Sequence, residues 1–204
     1  MEPTDRPLHK LQSRAEFEAF RDRATTSWNQ LWDGGKTVVT VGVGSSSIAK
    51  GALDVLAACR KLASKDVIVR QTGVDGADWL EVRVEVKSPG QPAIVYADVV
   101  PEDVPALLSA NLREKAFGVL GDDPLGSLKP LSQHPFYKYQ QRIVLRDTGI
   151  IDPDSVEEAI ARGAYSAYLK VLFDMSAEEV IAEMTAANLR GRGGAGFPAG
   201  IKWE

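Results

Sequence analysis

A glycine-rich stretch near the carboxyl end holds the residues with the clearest chemical potential. It runs from Arg190 to Phe197, reads RGRGGAGF and contains four glycines. Glycine lacks a Cβ and tolerates positive φ, so successive backbone N–H groups can converge on an anion or a flat ring. Two arginines and Lys202 add positive charge, and Phe197 can stack on a base or a flavin. The pattern predicts a phosphate- or nucleotide-binding loop, but it also describes an RGG-type tail that binds RNA nonspecifically.

A second glycine-containing loop follows a β-branched run. The sequence VGVGSSS, residues 41–47, places Gly-x-Gly and three serines between a predicted strand and a predicted helix. Amides at a helix start can bind an anion. The loop lacks the lysine of a P-loop and the third glycine of a dinucleotide fingerprint, so we interpret the serines as helix caps.

The composition narrows the class of protein. The chain has 204 residues, a net charge of −4 from 24 basic and 28 acidic residues, and a pI near 5.3. A net negative charge gives no indication that the protein binds nucleic acid or anionic membranes. No apolar run approaches the roughly 18 residues of a membrane span, and the first residues lack the pattern of a secretory signal. We therefore expect a cytoplasmic protein without membrane insertion.

The chain has few cysteine and histidine side chains that could form a disulfide or bind a metal. Cys59 is the single cysteine, and the histidines are His9 and His134. An intrachain disulfide and any site that needs several thiolates are excluded, and we expect no metal site. We expect Cys59 to be a buried, inert thiol, because it lies on the apolar face of a predicted helix.

The periodicity of the first half predicts an α/β domain over residues 1–112. A capping box at Ser13–Glu16 opens an amphipathic helix. From residue 37 the predicted order is strand, helix, strand, strand, strand, helix, which is the order of a thioredoxin-like domain. The predicted segments are Thr37–Val43, Ile48–Leu62, Asp66–Thr72, Leu80–Lys87 with one wet face, Ala93–Tyr96 and Pro101–Leu112.

The second half predicts a linker and then helices. Residues 113–151 lose periodicity and are rich in Pro, Gly, Ser and Asp, so we interpret them as an interdomain linker. Asp152 and Pro153 predict a helix start, Gly163 interrupts the following segment, and Ser176–Glu179 is a further capping box. Residues 152–204 would form the helical start of a second domain, which ends in the glycine-rich loop.

Two stretches resemble a known family. They are LRGRGGAGFPAGIKW, from Leu189 to Trp203, and HPFYKYQQRIVLRDTGIIDPDSVEEAIARGAYSAYLKVL, which begins at His134. Over residues 134–204 the sequence resembles the NADH-binding flavoprotein subunit of respiratory complex I and its relatives in NAD-linked hydrogenases and formate dehydrogenases. Residues 1–112 resemble the thioredoxin-like [2Fe-2S] ferredoxin module often fused ahead of it.

The resemblance implies a redox site. In that family FMN lies in a glycine-rich pocket, takes a hydride from NADH and passes single electrons to iron–sulfur clusters, so no catalytic acid or base is required from the protein. Other subunits of a redox complex are implied as partners, and through them the protein would be peripheral on the inner membrane. By resemblance the FMN-lining residues are Gly191, Arg192, Gly193, Gly194, Ala195, Gly196 and Lys202, with Phe197 placed against the NAD(H).

The front module departs from its family pattern. When the family's four cysteine ligands are aligned with this sequence, the corresponding residues are Gly42, Ser47, Val74 and Asp78. Iron–sulfur clusters are held by thiolates, so we expect no 2Fe-2S cluster in this chain. A 4Fe-4S site is expected only if the protein continues beyond Glu204.

Two functions remain open. In the first, the chain is the amino-terminal part of an NADH-oxidising FMN flavoprotein subunit, with a flavin-binding α/β domain truncated at Glu204. In the second, it is a non-catalytic docking or scaffold protein derived from that family. The chain belongs to an enzyme only if the polypeptide continues beyond residue 204 with the rest of the flavin domain.

Overall fold

The described residues form two compact units. The computed structural model describes residues 11–122 and 128–204, and the centre of the predicted linker, residues 123–127, lies outside them. One unit comprises residues 23–162, and the other combines residues 11–22 with residues 163–204. Helix α1 (Arg14–Asp33) contributes residues to both. In these described ranges no helix combines the length and apolarity needed to cross a bilayer.

A five-stranded sheet organises the larger unit. Its spatial order is β2-β1-β3-β4-β5; β1 and β2 are parallel, and every other neighbouring pair is antiparallel. The strands are β1 (Thr37–Gly42), β2 (Val67–Thr72), β3 (Val84–Lys87), β4 (Ala93–Tyr96) and β5 (Ala116–Leu120). A parallel strand-helix-strand unit followed by an antiparallel hairpin is the predicted thioredoxin-like arrangement, so the α/β fold class is confirmed.

One face of the sheet is covered by α3 (Ala52–Leu62) and α4 (Val104–Leu108), and α2 (Ser45–Ala49) packs against α3. Side chains alternate along a strand, so Val39 and Val41 of β1 point to this face together with Val84 of β3. They join Val55, Leu56, Cys59, Val104 and Leu107 in one core of fully or nearly fully buried residues. The opposite face begins with Val38 and Thr40, which are also buried.

The predicted helix over Ile48–Leu62 is divided in the structure. Gly51 adopts φ +94°, which ends α2 and starts α3. Ile48 and Leu62, the two ends of the predicted amphipathic helix, do not join the core, because they are 46% and 50% exposed. The last predicted helix is also shorter, with a 3₁₀ turn over Pro101–Asp103 ahead of α4.

The sheet extends into the predicted linker. β5 pairs with β4 and buries Val119, and Val119 N–H donates to the Lys129 carbonyl at 3.1 Å. Composition missed this strand because its five residues, AFGVL, stand beside the Pro- and Gly-rich run that dominates the segment. A boundary at residue 112 therefore cuts through the sheet unit. The same unit contains α5 (Pro135–Lys138) and α6 (Val156–Ala161), which begins after the cap Ser155 rather than at Asp152.

The smaller unit is helical over its carboxyl-terminal part, as predicted. It contains α7 (Ser166–Asp174), α8 (Ala177–Ala186) and α9 (Ala199–Trp203). The capping box that opens α8 is present: Glu179 N–H donates to Ser176 Oγ at 3.2 Å, and Ser176 N–H donates to Glu179 Oε2 at 2.8 Å. Gly163, with φ +98°, separates α6 from α7 as the sequence indicated.

Candidate functional site

The glycine-rich loop is closed at its base. Arg190 and Pro198 form an antiparallel bridge, and Gly191 N–H donates to the Phe197 carbonyl at 2.8 Å. The Arg190 side chain folds back, and its Nε donates to the Gly196 carbonyl at 2.9 Å. These contacts hold the two ends of the loop together, so residues 191–197 form a defined turn of backbone.

The interior of this loop offers free amides in open space. Within the described chain no N–H of residues 192–197 donates a hydrogen bond. A Cβ built on Gly193, Gly194 or Gly196 would meet no atom within 4 Å. Gly194 and Gly196 have φ of +110° and +60°, which other residues rarely adopt. The conformation and the unused donors fit an anionic group seated against the backbone.

Helix α9 places Lys202 near Phe197, and both residues were predicted to belong to the site. Lys202 Nζ lies 5.9 Å from the centre of the Phe197 ring, which is 46% exposed. The position of α9 depends on Gly200, where a Cβ would stand 2.7 Å from Thr185 Cα on α8. Gly200 is not among the predicted site residues, although GIKW stands within the resembling string. Arg192 is exposed and makes no hydrogen bond or ion pair within the described residues.

The four positions that align with cluster ligands gather at one end of the sheet unit and are filled by other contacts. A Cβ on Gly44 would lie 2.5 Å from Val74 Cγ2, so Val74 occupies the space beside this glycine. Ser47 is fully buried, and its Oγ accepts from Gly44 N–H at 2.8 Å. Asp78 accepts from Ser46 Oγ at 2.9 Å. These groups are apolar or hard oxygen donors, so the positions do not fit a 2Fe-2S cluster.

Cys59 offers no substitute ligand. It lies on α3 inside the core with no exposed surface, and burial raises the pKa of its thiol to about 11. The thiolate, which is the form that binds metals, is therefore disfavoured at neutral pH.

A buried ionic network lies next to these positions, and sequence reasoning did not find it. The Asp75 carboxylate accepts from Arg83 Nη1 at 2.6 Å and from Arg142 Nη2 at 3.0 Å. It also accepts from the Tyr137 hydroxyl at 3.4 Å, and Arg83 pairs on its other side with Glu85. The wet face predicted for the segment Leu80–Lys87 consists of Glu81, Arg83, Glu85 and Lys87. That prediction is wrong for Arg83 and Glu85, whose side chains are 11% and 13% exposed.

The pKa values follow from this burial and pairing. Burial alone would raise the pKa of Asp75, but the charges of Arg83 and Arg142 outweigh burial and hold it below its usual value. Burial raises the pKa of Glu85 despite its pairing with Arg83. Burial also raises the pKa of Tyr137 to about 12, so the hydroxyl stays protonated and donates to Asp75. The network is a set of matched structural charges.

Comparisons with known proteins point to one family. No protein-family model matches the chain. Sixty-six residues, 32% of the chain, are 50% identical to the NADP-reducing hydrogenase subunit HndC of Solidesulfovibrio fructosivorans. A stretch of 79 residues is 37% identical to the mitochondrial NADH-ubiquinone oxidoreductase 51 kDa subunit of Neurospora crassa, and 46 residues are 51% identical to the mitochondrial NADH dehydrogenase (ubiquinone) flavoprotein 1 of Dictyostelium discoideum. The matched part is 13%, 16% and 9% of these relatives' lengths.

Solved structures resemble part of the chain. A thioredoxin-like [2Fe-2S] ferredoxin from Aquifex aeolicus is 16% identical, with a TM-score of 0.36 over 44% of this chain and 96% of the ferredoxin. A second structure of that ferredoxin gives 21% identity and a TM-score of 0.35. The resemblance drawn from the sequence is confirmed by the curated relatives: over between 22% and 39% of its length, the chain is related to the flavoprotein subunits of NADH dehydrogenases and to a subunit of an NADP-reducing hydrogenase.

Proposed function

We propose that this chain is the amino-terminal part of an NADH-oxidising flavoprotein subunit of an electron-transfer complex, with FMN held at the loop of residues 191–197. The observation that carries the proposal is the 50% identity with HndC over 66 residues. The closed loop with free amides and open space above its glycines supports the cofactor assignment.

In this proposal the loop residues bind and orient the cofactor. The free N–H groups of residues 192–197 would donate to the FMN phosphate, and Lys202 and Arg192 would neutralise its charge. The exposed face of Phe197 would contact the dinucleotide. When bound, FMN supplies the chemistry: it accepts a hydride from NADH and returns electrons singly. No side chain of the loop needs to exchange a proton.

The thioredoxin-like domain would not relay electrons. The positions of Gly42, Ser47, Val74 and Asp78 hold no thiolate, and Val74 occupies the space beside Gly44. We propose instead that the thioredoxin-like domain docks the flavoprotein onto other subunits of the complex. The complex would lie in the cytoplasm or at the inner membrane through its partners. A purely non-catalytic docking protein is the competing function, and flavin content separates the two.

The test uses the polypeptide purified from its native host, with its intact mass recorded. We expect a flavin absorbance band that survives desalting at about one equivalent and bleaches on addition of NADH under argon. We expect the isolated 204-residue chain to retain little FMN, because no other described part of the chain comes within 4 Å of a Cβ built on Gly193, Gly194 or Gly196, so no second wall faces the loop. A native polypeptide without flavin would contradict the proposal and favour the docking protein.

A pair of glycine variants in the native polypeptide tests the loop itself. Gly194→Val would place a branched side chain where the cofactor should lie and strain a φ of +110°, so we expect flavin to be lost. Gly90→Val is the matched control: Gly90 also has a positive φ, +69°, and open space, but lies in the β3–β4 turn. Unchanged flavin in Gly194→Val would remove the loop from the cofactor site.

A further inference from the structure

A cleft lies on the sheet face opposite the core of the larger unit. Its volume is about 340 Å³, within the range of small-molecule sites. The floor is the sheet itself, including Val38, Thr40 and Ala93, and the rim includes Leu120 and Ile150. These floor residues are almost completely buried. The cleft is therefore a formed concavity rather than a flat apolar patch.

Two tryptophans of α1 form one wall. The Trp28 and Trp32 rings meet edge to face, with centroids 5.5 Å apart and planes at 71°. The Arg70 guanidinium lies 5.9 Å from the Trp28 ring centre and 5.5 Å from that of Trp32. Arg70 is 7% exposed and is fixed by donating to the Ile150 carbonyl at 3.0 Å and by pairing with Glu158. Arg70 also lines the cleft, and a second guanidinium, that of Arg162, lies 6.0 Å from the Trp28 ring centre, so cations hold the indoles in place.

The charges that line the cleft are not all paired within the described part of the chain. Arg70 pairs with Glu158, and Glu85 pairs with Arg83. Lys87 also lines the cleft, but its ammonium donates to the Gln91 carbonyl and forms no ion pair with a carboxylate among the described residues. An anion bound beside Lys87 would complete the charge balance.

We propose that this cleft binds a small planar aromatic molecule that carries one carboxylate. The rings would contact Trp28 and Trp32 in the wall of the cleft, since indole rings favour aromatic partners. The carboxylate would pair with Lys87 in a charge-assisted hydrogen bond. A volume of about 340 Å³ admits two fused rings. The cleft shares no residue with the loop of residues 191–197, so the site is independent of the proposed flavin site.

The experiment titrates the 204-residue chain with 2-naphthoate and with the uncharged 2-naphthylmethanol. The indole N–H signals in ¹H–¹⁵N NMR spectra report binding, because the four tryptophans provide an internal control. We expect saturable shifts at Trp28 and Trp32 with little change at Trp79 and Trp203. We expect naphthoate to bind about fivefold more tightly than the alcohol, because its carboxylate would form a partly exposed ion pair with Lys87.

Two lysine variants test the contribution of the Lys87 charge. Lys87→Met keeps an apolar stem, so we expect it to remove the preference for naphthoate while the alcohol still binds. Lys61→Met, on the exposed end of α3, is the control and should retain the preference. The proposal is overturned if neither probe shifts Trp28 and Trp32, if all four indoles shift alike, or if wild type shows no preference for naphthoate. Retention of the preference in Lys87→Met would also overturn it.

Discussion

Asp75→Asn should destabilise the sheet unit strongly. The Asp75 carboxylate is 4% exposed and pairs with Arg83 and Arg142. Removing one partner of a buried pair costs about 3–5 kcal/mol. Arg83 keeps Glu85 and Arg142 is 27% exposed, which places the expected loss near the lower end, at about 3 kcal/mol. For a chain of this size that loss lowers Tm by roughly 6–12 °C.

Urea denaturation followed by circular dichroism measures this loss as a change in the free energy of unfolding. The matched control is Asp66→Asn, an exposed carboxylate in the same unit without an ion pair among the described residues. We expect the control to stay within about 0.5 kcal/mol of wild type. If Asp75→Asn unfolds at the same urea concentration as Asp66→Asn with an equal slope, the network does not stabilise the fold and the reasoning is refuted.

The pH dependence of this variant's stability tests the same network independently. The folded pKa of Asp75 is below its unfolded value, so its contribution is present above the ordinary aspartate pKa of about 4 and is lost as pH falls through the lowered folded pKa. The stability gap between wild type and Asp75→Asn should therefore be full at neutral pH and narrow in acid. A gap that widens on acidification would contradict the assigned direction.

Three further predictions concern packing. Cys59 should react with a thiol reagent at mildly alkaline pH only after denaturation, because it is fully buried with a pKa of about 11; rapid labelling of the native chain would contradict this. Gly200→Ala should lower the free energy of unfolding by about 1–3 kcal/mol through overpacking against Thr185, and so reduce Tm. Gly193→Ala, in open space, is the control, and equal Tm values for the two variants would contradict this. Gly44→Ala should lower Tm through the clash with Val74, and Gly44→Ala with Val74→Ala should recover part of it; a purely additive double variant would show that they do not compete for space.

The parts of the fold that local pattern determines could be predicted. The β-branched run from Thr37 becomes β1, and the hydroxyl and carboxylate of Ser176–Glu179 cap α8 as their spacing indicated. The break at Gly51 was missed because the apolar spacing continues across it, while the positive φ that divides the helices is invisible to periodicity. β5 was missed for a different reason: its strand character depends on pairing with β4 rather than on its own composition.

The candidate site also has parts that could be predicted from the sequence and parts that could not. The glycine-rich loop could be predicted because its chemistry resides in consecutive residues, and the structure adds how Arg190 and Phe197 close it. The ionic network could not be predicted, because Asp75 meets a partner 67 residues away, at Arg142. Alternation assigned Arg83 to solvent, since periodicity distinguishes the two faces of a strand but not whether both are covered.

The loop that carries Val74 and Asp78, two of the four positions aligned with cluster ligands, is fixed by the protein's own side chains. Val74 occupies the space beside Gly44, Asp75 receives two guanidinium groups and a tyrosine hydroxyl, and Asp78 accepts from Ser46. In a cluster-bearing domain, metal–thiolate bonds would cross-link these loops and contribute to folding. Here apolar contact and paired charges stabilise the same region. This arrangement is compatible with the docking role proposed for the thioredoxin-like domain.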